Sequence, residues 1–268
     1  MIKAFQISLF EWNVMPNSSS IFLGIQNYVR AAKDSLFWLA VKNSFFYALA
    51  TVIGQLFLGL LVAIILDRIA HGKIFFRTLY YLPVVTSWVV CSLLFKFIFN
   101  SSPAGLVNYV LVKSLHLLPK PVTWLNEPGT AFIALYALGI WKGIGWTMVI
   151  FLAAIQAIPE DLHQAALVDG ANEWQYARKI TIPLLIPTIV LTSIMLTIGA
   201  FQTYIPIALI TRGNPIHRTE VILSYMYEQA FSNRDFGYGS ALSYILILIV
   251  FTISQIQMKF KKEENQLY

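Results

Sequence analysis

Few residues in this chain have the type and spacing that chemistry requires. The four histidines, His71, His116, His163 and His217, stand at separations unlike a helical ligand pair, and no H-E-x-x-H or G-x-S-x-G occurs. The only Gly-Lys pair, Gly72-Lys73, is followed by Ile74, so the chain carries no phosphate-cradling P-loop. A single cysteine, Cys91, excludes a disulfide framework and a cysteine-based metal site. No metal or catalytic constellation is expected. What remains are groups suited to handling a polar solute: Trp146, then Gln202, Thr203 and Tyr204 in succession. Aromatic faces stack on sugar rings and amides bond hydroxyls, although inter-helix packing would use the same residues. Lys142 is the other group to explain, being a cation far inside an apolar stretch. Such a group is either functional, or it snorkels or bonds a carbonyl of a neighbouring helix.

The elements that position these residues are membrane spans. The 268 residues are 57% hydrophobic and 12% charged, with a mean hydropathy of +0.66. A soluble domain carries about 25% charged residues. Five stretches, Ser44–Leu66, Thr78–Phe99, Gly129–Ile158, Ile180–Thr211 and Phe236–Met258, hold only two charges, Lys96 and Lys142. Each exceeds the roughly 20 residues that cross a bilayer core. They contain no Asp or Glu, which argues against a proton relay and an intramembrane aspartyl protease. The net charge of +6 comes without a basic cluster interleaved with aromatics, so nucleic acid is not an expected partner; the lipid bilayer is. Lys and Arg are denser in 67–77, 156–179 and 259–268 (8 in 45 residues) than in the alternate segments (9 in 96), which predicts a cytoplasmic C-terminus. Ala31–Val41 reads as a short interfacial helix, and Trp124 as an interface anchor.

The connector from Ile158 to Leu185 is unlike the others. Pro159, Glu160 and Asp161 start a helix, because proline is harmless in a first turn and acids suit its positive end. Asp169-Gly170 breaks it, Asn172 can cap a second helix over Glu173–Ile180, and Pro183 closes that. Two short helices on a glycine elbow make a knob for a partner to grip.

These residues, Gln164-Ala165-Ala166, Asp169-Gly170-Ala171, Trp174-Gln175, Ile180, Pro183, Leu185 and Pro187, resemble the EAA loop of permease subunits of ATP-binding-cassette importers. FLGIQNYV (22–29), FFRTLYYLP (75–83), GLVNYVL (105–111), WKGIGW (141–146) and FGYGSAL (236–242) are similar to the sugar-uptake, maltose-type branch, in order from near the N-terminus to about Phe260. Two positions depart from the pattern. Gln164 replaces the leading Glu, which puts an ion pair with the ATPase in doubt. In TRGNP (211–215), Asn214 replaces a glycine but tolerates positive φ. MIKAFQISLFEW looks like the end of the family's first membrane helix, whose remainder and basic leader are missing; a start upstream of Met1 is the expectation.

The resemblance implies an all-α polytopic bundle with five membrane helices, where the family usually has six or more. Residues 1–43 would be an N-terminal remnant with an external interfacial segment, 44–260 the permease domain with its coupling loop at about 158–183, and 261–268 a cytoplasmic tail. The chain would reside in a prokaryotic cell membrane and import a carbohydrate by alternating access. Its implied partners are a second permease, two cytoplasmic ATPases that hold the ATP and Mg, and an extracellular solute-binding protein; this chain would hold no cofactor and hydrolyse no ATP. Gln164, Ala165, Ala166, Asp169, Gly170 and Ala171 would form the coupling surface, the two alanines letting a short helix lie in a groove. Trp146, Gln202, Thr203 and Tyr204 would line the pathway. Another solute (glycerol phosphate, a polyamine, an inorganic anion) or a scaffold without a pathway are the alternatives.

Overall fold

The computed structural model describes residues 1–13, 19–69 and 71–264, with side chains as far as Lys259. It is a helical bundle, all-α as expected but for a two-residue antiparallel ribbon that pairs Phe10 with Phe22 and Glu11 with Ile21. A short helix α1 (Ile2–Ser8) precedes the ribbon and α2 (Gln26–Lys33) follows it. α1 lies on the last helix, where Tyr244 donates to Met1 O at 2.7 Å and meets Phe5 edge-on.

The first span, α3 (Ser35–Arg68), begins nine residues before the expected Ser44. Asp34 is the reason: its carboxylate accepts from the Leu36 and Phe37 amides at 2.9 and 3.3 Å and caps the helix. The interfacial helix expected over Ala31–Val41 is therefore divided between the end of α2 and the first turns of α3. Asp34 also accepts from Tyr225 (2.5 Å) and Tyr238 (2.6 Å), and Arg30 pairs with Asp235 at 2.5 Å. Burial pushes the Asp34 carboxyl up, but these hydrogen bonds outweigh it and hold the group below its ordinary value.

The second span is broken rather than continuous. α4 (Lys73–Val85) and α5 (Trp88–Ile98) meet at 95°. Pro83 has no N–H to continue the ladder, and Ser87 restarts it by accepting from the Val89 amide at 3.3 Å. At the far end Lys96 donates to Leu209 O at 3.0 Å. A short helix, α6 (Leu106–Asn108), runs into a π turn at Tyr109–Ser114. Trp124, expected as an interface anchor, packs edge-on against Phe99 and donates to Asn108 Oδ1 at 2.9 Å. Buried Asn108 organises that connection from within.

The third span is α7 (Pro128–Gln156). It packs along α3 at a distance only glycine permits: a Cβ on Gly143 would lie 2.0 Å from Gln55 Oε1, and one on Gly59 2.0 Å from Thr147 Oγ1. After the short helices α8 (Glu160–Val168) and α9 (Glu173–Tyr176) the chain does not stop at Pro183. It passes through a π turn at Ala177–Thr181 into α10 (Ile182–Phe201), so that 173–201 is one span. Pro183 lies in the first turn of α10, directly after the π turn. The end of the expected Ile180–Thr211 stretch is a separate π turn, Ile207–Thr211. α11 (Ile222–Tyr227) follows, and α12 (Phe236–Glu264) is the last span, continuing six residues past the expected Met258. Of the expected tail 261–268, residues 265–268 lie outside the described residues.

Large apolar side chains such as Phe57, Ile53 and Ile65 on α3, and Leu248 and Phe251 on α12, point outward, as a bilayer requires. Hydrogen bonds sort the connections into two ends. Asn43 donates to Arg218 O and Glu220 O at one end, while Arg68 holds Glu173 at the other.

Candidate functional site: an inter-helix cavity and a two-helix knob

A cavity of about 360 Å³ opens where α3, α7 and α10 converge on the break between α4 and α5. Tyr47, Thr51 and Gln55 reach it from α3, at the four-residue spacing that puts them on one helix face. Trp88 lines it from α5, Lys142 and Trp146 from α7, and Thr203 from just beyond α10. Of the four pathway candidates the fold brings Trp146 and Thr203 together. Gln202 is exposed and outside this cavity. Tyr204 lines a separate pocket, its ring 4.6 Å from that of Tyr227.

Lys142 is 5% exposed and has no carboxylate near it. Its ammonium donates to the carbonyls of Pro83 (2.7 Å), Val84 (3.2 Å) and Thr86 (2.5 Å), and lies 4.9 Å from the Trp88 ring. These carbonyls are freed where α4 ends. A cation at a helix C-terminus meets the negative end of the dipole, and in a membrane no water is available to serve the carbonyls instead. Of the readings open from sequence, a lysine bonded to carbonyls of a neighbouring helix is the one observed. All three ammonium hydrogens are committed to the bend.

Tyr47, Gln55 and Trp88 are site residues that sequence reasoning missed. A signal existed for two of them: Gln55 is the sole amide in the Ser44–Leu66 run, and Tyr47, Thr51 and Gln55 recur every fourth residue. Trp88 had none, because it faces the cavity only through the bend.

The knob is built by two local devices. Gly170, at φ +77°, terminates α8 in a Schellman motif, its amide donating to Leu167 O at 3.0 Å and that of Ala171 to Ala166 O at 2.9 Å. Asn172 and Gln175 then start α9 with a reciprocal capping box, both bonds 2.8 Å. Gln164, Ala165, Asp169 and Gly170 lie on the outer face, and Ala171 is half-buried. Ala166 turns inward and is 7% exposed, so only Ala165 of the two alanines is on the surface. Leu167, Val168 and Trp174 add apolar surface to that face.

At the opposite end, His217 Nδ1 lies 3.7 Å from Glu220 Oε1 and 3.5 Å from Glu228 Oε2. Nothing in the spacing of these residues points to this grouping, the only His/Asp/Glu trio among the described residues with ligand atoms close enough for a metal ion. Burial raises the Glu220 carboxyl above its ordinary value, Glu228 adds to the effect, and Ser224 and His217 partly offset it. In the TRGNP turn the left-handed residues are Arg212 and Gly213, so the tolerance of Asn214 for positive φ is not called on. Gly213 is where glycine is needed, since a Cβ there would lie 1.7 Å from Glu220 Oε1.

Comparison with known proteins places this geometry. Residues 55–257 match the family described as "Binding-protein-dependent transport system inner membrane component". The chain is 33% identical over 258 residues to the "Probable ABC transporter permease protein YurN" of Bacillus subtilis (strain 168), covering 96% of this chain and 87% of that protein. It is 30% identical over 242 residues to the "Multiple sugar-binding transport system permease protein MsmF" of Streptococcus mutans, covering 90% and 82%. The fold is that of a chain in the crystal structure of a bacterial ABC transporter involved in the import of the acidic polysaccharide alginate. There the TM-score is 0.81 at 21% identity, over 98% of this chain and 89% of that one.

Proposed function

Since the chain belongs to the family of binding-protein-dependent transport system inner membrane components, we propose how its parts divide the work of import. The premise makes it a multi-pass inner-membrane permease of an ABC-type carbohydrate or solute importer. It works with a second permease and a solute-binding protein, and separate ATPase subunits hydrolyse the ATP.

In our reading the cavity is this chain's share of the pathway, and the solute is a sugar or oligosaccharide. The observation that carries it is the cavity's lining: aromatic faces from Trp88, Trp146 and Tyr47 beside neutral hydrogen-bonding groups from Gln55, Thr51 and Thr203. A ring stacks on the first set while its hydroxyls bond the second. Lys142, committed to backbone carbonyls, shapes the wall rather than meeting the solute. The resemblance to a permease named for multiple-sugar transport supports the same class.

The knob is the coupling loop. Gln164, Ala165, Asp169 and Gly170 form its gripping face, with Ala166 and Ala171 holding that face to the bundle. ATP-driven movement of the partner subunits drags the knob, and the spans it continues into, α7 and α10, switch the cavity between the two sides. This places residues 67–77 and 156–179 with the C-terminus in the cytoplasm. Their denser basic residues support that orientation, as does the pairing of Arg68 with the loop at one end.

The test is uptake of a radiolabelled sugar panel by cells lacking and then regaining this chain. At least one sugar should enter only when the chain is restored, and Trp146→Ala should reduce that uptake with the complex still assembled. A panel in which no sugar depends on the chain overturns the carbohydrate reading.

A further inference from the structure

The knob does not sit flush on the bundle. A cleft of about 520 Å³ lies behind it, walled by Ile64, Asp67 and Arg68 of α3, Ile155 and Gln156 of α7, and by His163, Glu173 and Tyr176 of the knob. The chain itself ties the knob to α7 through Ala157–Pro159, and to α10 through the π turn at 177–181. No covalent connection of this kind reaches α3, although α3 carries the Tyr47–Thr51–Gln55 face of the cavity. One side chain crosses the cleft to it. Arg68, the last residue of α3, holds Glu173 twice, Nη1 to the carboxylate Oε2 at 2.6 Å and Nη2 to the backbone oxygen at 3.0 Å. The other carboxylate oxygen faces His163 Nε2 on α8 at 3.3 Å, and the His163 ring meets Tyr176 edge-on at 4.7 Å. Glu173 thus joins α3, α8 and α9 at one point. Among the described residues no other hydrogen bond or ion pair links 160–176 to α3 or α7.

We propose that Arg68 is a positioning residue for coupling: through Glu173 it makes α3 follow the knob, and without it the knob turns on its two covalent ends with slack. The inference rests on the reading of the knob as the coupling loop. An exposed ion pair adds little to stability, which suits this role. The pair is there to transmit a displacement, and its planar, two-point grip on one residue fixes orientation as a single lysine contact does not.

The experiment uses the assembled complex and its native binding protein, purified with its own bound solute. The readout is the stimulation of ATP hydrolysis by that protein, alongside the amount of ATPase subunit that co-purifies. Arg68→Ala should lower the stimulation at least fivefold with co-purified ATPase within twofold of the parent. Arg68→Glu and Glu173→Arg should each be defective, and the two together should return stimulation to within about twofold of the parent. A merely structural residue would lose assembly and stimulation in step, and swapping its charge with Glu173 would restore both in step. If Arg68→Ala prevents assembly, Arg68→Lys decides: assembly with stimulation still lowered supports the proposal, and parental stimulation or no assembly overturns it. Normal stimulation in Arg68→Ala also overturns it. Gly170→Val, which puts a β-branched residue at φ +77°, separates this failure from that of the premise. If Gly170→Val uncouples hydrolysis and Arg68→Ala does not, only the role of Arg68 falls. If Gly170→Val is itself normal, the reading of the loop falls with it.

Discussion

Replacing Lys142 with methionine tests whether the bend in the second span is held by one ammonium group. Methionine matches the length of the lysine stem and removes the three hydrogens now donated to Pro83 O, Val84 O and Thr86 O. Hydrogen bonds from a charged donor contribute about 1.5–3 kcal/mol each, so three represent roughly 4.5–9 kcal/mol. Against this, removing a charge from the membrane interior returns about 2.5–3.5 kcal/mol. The hydrogen bonds win by roughly 1–6.5 kcal/mol, and the Trp88 contact adds about 0.5–1 kcal/mol on the same side. At about 1.4 kcal/mol per tenfold change, the bend would lose at least one order of magnitude of its preference over competing arrangements. Lys142→Met should therefore lower the thermal midpoint of the purified complex and abolish most uptake. Co-purification of the ATPases should persist, because the knob lies at the far end of α7. Lys142→Arg, which keeps charge and donors on a longer stem, should fall between the two. A Lys142→Met complex with parental midpoint and uptake would refute the reasoning.

Trp146→Ala removes an aromatic wall of the cavity and should raise the KM for uptake at least tenfold with membrane levels unchanged; an unchanged KM makes Trp146 a packing group. Gly143→Val drives a Cβ into Gln55, 2.0 Å from its Oε1, and should separate α3 from α7 at a cost of about 1–3 kcal/mol, read as a lowered thermal midpoint. Glu220 gives a pH dependence. Its folded-state pKa is raised by burial, so its contribution to stability is full below its ordinary value of 4.5 and is lost as pH rises through the folded value. Glu220→Gln, which keeps an acceptor for Ser224, should remove that loss and flatten the decline of the thermal midpoint above pH 4.5. A parental profile in the variant would show that Glu220 does not carry it.

The membrane class was settled by composition, since five stretches holding two charges have no alternative in water. The local devices of the knob were legible for a similar reason: Gly170, Asn172 and Gln175 act within a few residues of themselves, so spacing alone places them. The broken span was not legible. Pro83 stands one turn into the Thr78–Phe99 stretch, where a helix tolerates proline, and the 95° turn depends on Lys142, 59 residues away in sequence, to occupy the carbonyls the break releases. The start of α3 was missed because the uncharged run begins only at Ser44, after Lys42. The cap that Asp34 forms is local, whereas its role as acceptor for Tyr225 and Tyr238 exists only once α11 and α12 are packed beside it. The candidate site divides in the same way. Trp146 and Thr203 were named from residue type, whereas the separation of Gln202 and Tyr204 from them follows from where α10 ends, at Phe201. Residue type and spacing fix what a segment can do by itself. Which groups share a cavity, and which carbonyls lack a donor, is decided by contacts between residues far apart in the chain, and those arise only from the packing of whole helices.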